Sequence, residues 1–139
     1  LDVVVIDYLT LIRGDARLPR WEQVTLISSA LKELARALQV VVIALSQLGR
    51  DSENRQPNLA SLRESGAIEQ DADIVLLLHR LSEPTTDTTG RPQPQGVQFI
   101  LAKNRNGPVG TEHMVFVPYY TRFEHGEEFN DPTRNESLS

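Results

Sequence analysis

The hydrophobic positions fall into short runs separated by one long amphipathic stretch. Leu1 to Asp7 is a continuous apolar run with four β-branched residues, the pattern of a strand buried on both faces, and it closes on an acid. Gly14 to Arg20 reads as a loop, with Pro19 suited to the first position of a following helix. From Trp21 to Leu38 the apolar residues Val24, Ile27, Leu31, Leu34 and Leu38 recur at spacings of three and four, which predicts an amphipathic helix facing a core. Val40 to Leu45 is a second apolar run, ending in Ser46-Gln47. Strand, helix and strand joined by short connections predict a βαβ unit with parallel strands and a right-handed crossover, hence an α/β fold.

Leu48 to Ala60 is polar and reads as a loop, and Leu62 to Ala72 as a short helical segment. Ile74 to Leu78 predicts a third buried strand, and the Thr-, Pro- and Gly-rich stretch from Leu81 to Gln95 a flexible excursion. Val97 to Lys103 predicts a fourth strand. Asn106-Gly107 is the strongest short turn signal in the chain and predicts a hairpin turn at positive φ, returning through Thr111 to Val117. A last strand is expected over Thr121 to Glu124. This places one folded domain over 1–125 and an acidic tail, expected to be disordered, over 126–139.

Composition narrows the function classes. The 139 residues are 40% hydrophobic and 24% charged, as in an ordinary globular domain, and no apolar run approaches the roughly 20 residues of a membrane span. There is no signal peptide pattern and no initiating Met, so the chain is expected to be an excerpt or a processed piece, and a cytoplasmic one. The chain contains no cysteine, which excludes disulfides, thiolate metal sites and cysteine nucleophiles, and three scattered histidines do not make a zinc site. The net charge of −5 argues against bulk coating of nucleic acid, although the tail alone carries −3 of it. Twelve of the fourteen basic residues are arginines, which leaves room for a local site that grips phosphate or carboxylate through two parallel hydrogen bonds.

Ligands bind beyond the carboxyl ends of parallel strands, so the polar residues there are the candidates. An acid such as Asp7 at a strand end can hold a magnesium-bound water, or simply cap a turn. Gln47 can sense a γ-phosphate, or anchor a loop. Lys103 and Arg105, two apart on an extended segment, would point to the same side and suit a triphosphate whose charge shifts during hydrolysis; they equally suit a solvated hairpin tip. Arg63-Glu64-Ser65-Gly66 combines a guanidinium with close backbone access, as a phosphodiester contact needs, but also reads as a helix start. Glu69, Asp71 and Asp73 read as solvated or capping acids rather than metal ligands. The 139 residues contain no Gly-x-x-x-x-Gly-Lys-Ser/Thr phosphate loop.

Two long strings carry a resemblance. Leu62-Arg-Glu-Ser-Gly-Ala-Ile-Glu-Gln-Asp-Ala-Asp73 and Ala102-Lys-Asn-Arg-Asn-Gly-Pro-Val-Gly-Thr111 resemble characteristic stretches of the bacterial replicative DNA helicases, the DnaB family. Val4-Val-Ile-Asp-Tyr-Leu9 resembles that family's Walker B strand, Val42-Ile-Ala-Leu-Ser-Gln-Leu48 its third helicase motif, and Thr121-Arg-Phe-Glu124 its closing strand. The matches keep the family's order from residue 1 to about 124.

The resemblance implies part of a RecA-like domain: a mostly parallel sheet flanked by helices, with a C-terminal β-hairpin. It further implies an ATP-dependent 5′–3′ helicase that works as a homo-hexameric ring on single-stranded DNA, with ATP and Mg2+ as cofactors and a helicase loader and primase as further partners, and with no membrane attachment. Asp7 falls on the Walker B aspartate that holds magnesium through water, and Gln47 on the γ-phosphate-sensing glutamine. Lys103 and Arg105 fall on the basic pair that enters the neighbouring subunit's nucleotide site, with Arg105 as the arginine finger. Arg63, Glu64 and Gly66 fall on the loop that holds the DNA backbone, and Arg122 near the nucleotide base. The family's Walker A loop and catalytic glutamate lie upstream of the Walker B strand, so the isolated chain is expected not to hydrolyse ATP. Two alternatives stand beside it: a non-hydrolysing relative that binds single-stranded DNA or caps a helicase ring, and another RecA-like ATPase, which would share the Walker B strand but not the Arg63 to Asp73 string.

Overall fold

The computed structural model describes residues 2–49, 55–62 and 66–125. The tail over 126–139, and with it the expectation of disorder, lies outside the described residues. The chain divides between Val75 and Leu76 into two compact units.

The first unit is the expected βαβ arrangement. Strand β1 (Val3–Ile6) leads through a 3-10 turn (Leu9–Leu11) to helix α1 (Arg20–Leu38) and then strand β2 (Val41–Ala44). β1 and β2 pair in parallel, from Val3 opposite Val41 to Ile6 opposite Ala44. Pro19 stands one position earlier than expected, as the cap of α1, where its carbonyl accepts from Glu22 and Gln23 at 3.1 Å each. The helix ends on Gln39, whose left-handed backbone (φ 53°) lets the N–H of the next residue, Val40, reach the Ala35 carbonyl at 3.1 Å, the usual way to turn a chain out of a helix. Val24 and Ser28 are buried, and a second 3-10 turn (Leu59–Ser61) and helix α2 (Gly66–Asp71) complete the unit.

Burial of β1 differs from expectation. Val4 and Ile6 are half-buried, but Val5 is 62% exposed, and Val41 and Ile43 on β2 are exposed beside it. α1 packs against β2 and supplies cover to one face of this two-stranded sheet only. An unbroken apolar run identifies a strand without saying which of its faces this chain covers.

The second sheet has the order β3-β4-β5-β6, with β3 at Ile74–Arg80, β4 at Gln95–Asn104, β5 at Gly110–Val117 and β6 at Arg122–His125. β4–β5 and β5–β6 are antiparallel. Val75, Leu77, Val97 and Ile100 are its buried hydrophobic residues, and Phe123 packs edge-on to Phe99 and tilted against Phe116, both with centroids 5.0 Å away. The stretch between β3 and β4, expected to be a flexible excursion, is closed by a Thr86–Pro92 bridge. Asp87 organises it: its carboxylate accepts from the Thr89 N–H (2.8 Å), the Thr89 hydroxyl (2.6 Å) and the Arg91 N–H (2.9 Å). The Thr89 hydroxyl contributes most to holding the Asp87 carboxyl below its ordinary range. Gly90 supplies the positive φ (81°) that the turn requires.

Candidate functional site

Parallel pairing brings the two candidate residues of the first unit to one edge. Asp7 follows the last paired residue of β1, and Gln47 lies three residues beyond the last paired residue of β2. The strand ends are laced together past the ladder: the Leu45 N–H donates to the Ile6 carbonyl at 2.9 Å, and the Leu9 N–H to the Leu45 carbonyl at 2.8 Å. Both side chains are exposed at this carboxyl edge, where ligands of parallel sheets sit. The Asp7–Tyr8 peptide is cis. An exposed carboxylate at a strand end can hold a hydrated divalent cation through water; no group of three His, Cys, Asp or Glu that could cage a metal occurs among the described residues.

In the second unit Lys103 is half-buried near the end of β4, and Arg105 is exposed just past it. The expectation that both point to one side assumed a common strand, but the strand ends at Asn104 and Arg105 belongs to the turn, so the alternation of strand side chains does not apply to the pair. The turn also lacks the positive φ expected of it. Five residues, Arg105 to Val109, separate the strands, and neither Asn106 nor Gly107 has positive φ. A five-residue loop makes no demand for a left-handed backbone, and the Asn104 side chain braces it. Its Nδ2 donates to the Pro108 carbonyl at 3.2 Å and its Oδ1 accepts from the Asn106 N–H at 3.4 Å.

The role of Gly107 is spatial rather than torsional: a Cβ there would stand 2.7 Å from Asn104 Nδ2. We therefore expect Gly107→Ala to expel the Asn104 amide from its bond to Pro108 and lower stability by about 1 kcal/mol, a typical net hydrogen bond. Urea unfolding would read this as a lower midpoint at constant slope. An unchanged midpoint would mean that Asn104 does not brace the turn.

Arg122 on β6 pairs with Glu124 through Nε at 2.9 Å and through a closer Nη2 contact, and its guanidinium lies over the Tyr120 ring, 5.3 Å from the centroid. Sequence reasoning missed what surrounds it. Tyr119 and Tyr120 are both exposed, their rings meet edge to face at 5.0 Å, and Arg91 lies 5.3 Å over the Tyr119 ring. Adjacent tyrosines after Pro118 were the available signal. A separate apolar cleft of 260 Å³, with Leu78, Val97, Phe116 and Phe123 in its lining, contains none of the candidate residues.

Of the third group, Gly66 is exposed at the start of α2, and Arg63 and Glu64 lie outside the described residues. The acids that follow are more than solvated or capping groups. Asp71 accepts from the Ser29 hydroxyl, and Asp73 makes an ion pair with Lys32. No described helix is long and apolar enough to cross a membrane.

Comparisons with known proteins bear on the family of the chain. Residues 1–125 match the family model described as the DnaB-like helicase C-terminal domain. The chain is 48% identical over 124 residues to the replicative DNA helicase DnaB of Treponema pallidum, and 48% identical over 128 residues to that of Geobacillus stearothermophilus, covering 88% of this chain in each case. It spans only 26% and 28% of those two proteins. Among solved structures, one described as an ATPase domain is similar with a TM-score of 0.75 and 44% identity, over 88% of this chain and 44% of that one. A DnaB-like replicative helicase studied for its interactions with primase is similar with a TM-score of 0.76 and 43% identity, over 88% of this chain and 30% of that one. The chain belongs to the DnaB-like helicase C-terminal domain family, and its α/β fold is that of part of the domain seen in its structural relatives.

Proposed function

We propose that this chain is part of a replicative, ATP-dependent 5′–3′ DNA helicase that moves as a homo-hexameric ring on single-stranded DNA in the cytoplasm. The observation that carries the reading is the shared carboxyl edge of β1 and β2, where Asp7 and Gln47 stand exposed in a chain of this family. ATP with Mg2+ supplies the phosphoanhydride bond and its counter-charge. Asp7 holds magnesium through water, and Gln47 hydrogen-bonds at the γ-phosphate. Lys103 and Arg105 present positive charge to the nucleotide of a neighbouring subunit from a hairpin braced by Asn104. Arg122, stacked on Tyr120, offers a flat cationic face near the nucleobase. Arg63, Glu64 and Gly66 hold the DNA backbone without reading bases, as a motor on any sequence requires. A similar protein has been studied for its interactions with primase, and we include primase and a helicase loader among the partners.

The test is strand displacement by the full-length protein on a forked duplex with ATP and Mg2+. We expect unwinding that requires a 5′ single-stranded tail and stops when the nucleotide is non-hydrolysable. Tight binding to single strands with no ATP turnover would replace this reading with that of a non-hydrolysing relative. Strand pairing without unwinding would point to another RecA-like ATPase.

A further inference from the structure

Four side chains of the second unit form one continuous row on its surface. Arg91 lies in the excursion between β3 and β4, Tyr119 and Tyr120 end the 3-10 turn Pro118–Tyr120, and Arg122 opens β6. The Arg91 guanidinium stands 5.3 Å over the Tyr119 ring, the two tyrosine rings meet edge to face at 5.0 Å, and the Arg122 guanidinium stands 5.3 Å over the Tyr120 ring. Tyr119 and Tyr120 are 65% and 64% exposed, so burial of apolar surface is not what holds them; ring and cation attraction is.

The row is fixed at both ends. The Arg91 N–H donates to the Asp87 carboxylate and its carbonyl accepts from the Asp87 N–H, each at 2.9 Å, so backbone bonds hold the residue and leave its guanidinium for Tyr119. At the other end Thr121 takes a left-handed backbone (φ 50°), with its N–H on the Pro118 carbonyl at 3.1 Å. A β-branched residue is strained there, and such strain persists where surrounding contacts over-determine it. The bend brings Arg122 back over Tyr120. Glu124 holds the edge of the Arg122 guanidinium, yet that side chain is still 60% exposed, which leaves a flat cationic surface for a planar ligand.

We propose that Arg91 and Tyr119 are positioning residues for the nucleobase: they brace Tyr120, and Tyr120 orients the Arg122 guanidinium on which the base stacks. The inference rests on the reading of Arg122 as a nucleobase contact. A long, exposed arginine loses rotamer freedom when it stacks on a ligand, and a ring fixed behind it removes part of that cost before the ligand arrives. The excursion between β3 and β4 thereby acquires a role in nucleotide binding, and its closure by Asp87 a reason.

The experiment uses the full-length protein and two probes. One is ATP with Mg2+; the other is inorganic tripolyphosphate with Mg2+, a competitor that offers phosphates without a base. Arg91→Gln keeps the backbone bonds to Asp87 and removes the cation. We expect it to raise KM for ATP about threefold, the worth of one exposed cation–π contact. Its kcat, its inhibition constant for tripolyphosphate and its thermal midpoint should stay at the parent values. Arg91→Lys and Tyr119→Phe, which keep a cation and a ring, should bind ATP as the parent does, whereas Tyr119→Leu should match Arg91→Gln. Arg122→Ala, measured alongside, should raise KM for ATP about tenfold and leave tripolyphosphate inhibition unchanged. If Arg122→Ala raises KM while Arg91→Gln does not, the brace is overturned and the nucleobase contact stands. If Arg122→Ala leaves KM unchanged, the nucleobase contact itself falls, and the brace with it. An Arg91→Gln protein whose tripolyphosphate inhibition or thermal midpoint weakens in step with its ATP affinity has a merely structural arginine, and that also overturns the proposal.

Discussion

Arg105→Ala in the full-length protein is expected to lower ATP hydrolysis by about a thousandfold or more while leaving nucleotide binding within a few fold, the range found when an arginine finger is removed. The expectation follows from where the hairpin puts the guanidinium. β4 pairs with β5 from Gln95 to Leu101, and Arg105 sits four residues past that ladder, exposed, on a loop whose two sides are joined by the Asn104 side chain. A cation on such a braced tip changes position little when it meets charge developing on another subunit's nucleotide, and preorganised charge is what lowers a barrier. Arg105→Lys should rescue poorly, because an ammonium does not reproduce the planar two-pronged geometry of guanidinium. If the residue acts in trans as proposed, rings mixed from Arg105→Ala and Asp7→Asn subunits should regain some turnover, at junctions that keep both an intact Asp7 and an intact neighbouring Arg105. Steady-state hydrolysis with and without DNA, set against equilibrium nucleotide binding, makes the check. A variant keeping a tenth or more of the parent rate would remove Arg105 from the finger role.

Local periodicity made most of the fold legible. The three-and-four spacing from Val24 to Leu38 marks α1, observed at Arg20–Leu38, and the two apolar runs flanking it mark strands that pair in parallel. Side chains acting at a distance account for what was not legible. Asn106-Gly107 predicts positive φ in the turn between β4 and β5, yet Asn104 and Pro108 hold a five-residue loop without it. The stretch before β4 was read as an excursion because Thr, Pro and Gly dominate it, while a single carboxylate, that of Asp87, closes it through three hydrogen bonds.

The candidate site divides along the same line. Asp7 and Gln47 were findable because strand ends are where a parallel sheet presents ligands, and both stand at the expected edge. The stacking of Arg91 on Tyr119 was not, because it joins residues 28 positions apart, whereas Tyr119, Tyr120 and Arg122 are near neighbours in the chain. Asp71 and Asp73 were read as solvated or capping acids, since nothing local reveals that a serine and a lysine some forty positions earlier stand opposite them.

The carboxylate edge supports the second large effect. Asp7→Asn is expected to reduce hydrolysis by the full-length protein at least about a hundredfold, on the scale of losing one positioned electrostatic group at a reacting centre. The substitution keeps shape and removes charge, which isolates the proposed role of holding magnesium through water. Its structural cost should be small: Asp7 is exposed and lies just beyond the Ile6–Ala44 pair, and the bonds that lace the two strand ends run between the backbone atoms of Ile6, Leu9 and Leu45. The thermal midpoint without nucleotide should therefore stay near that of the parent, whereas the stabilisation that Mg-nucleotide adds should shrink, because a ligand stabilises only in proportion to its affinity for the folded state. Asp7→Glu is a stricter probe. It restores the charge but moves it by a methylene, so turnover should remain low if geometry matters as well as sign. Full recovery with glutamate would show that a negative charge anywhere near this edge suffices, and unimpaired hydrolysis in Asp7→Asn would move the magnesium site away from β1 altogether.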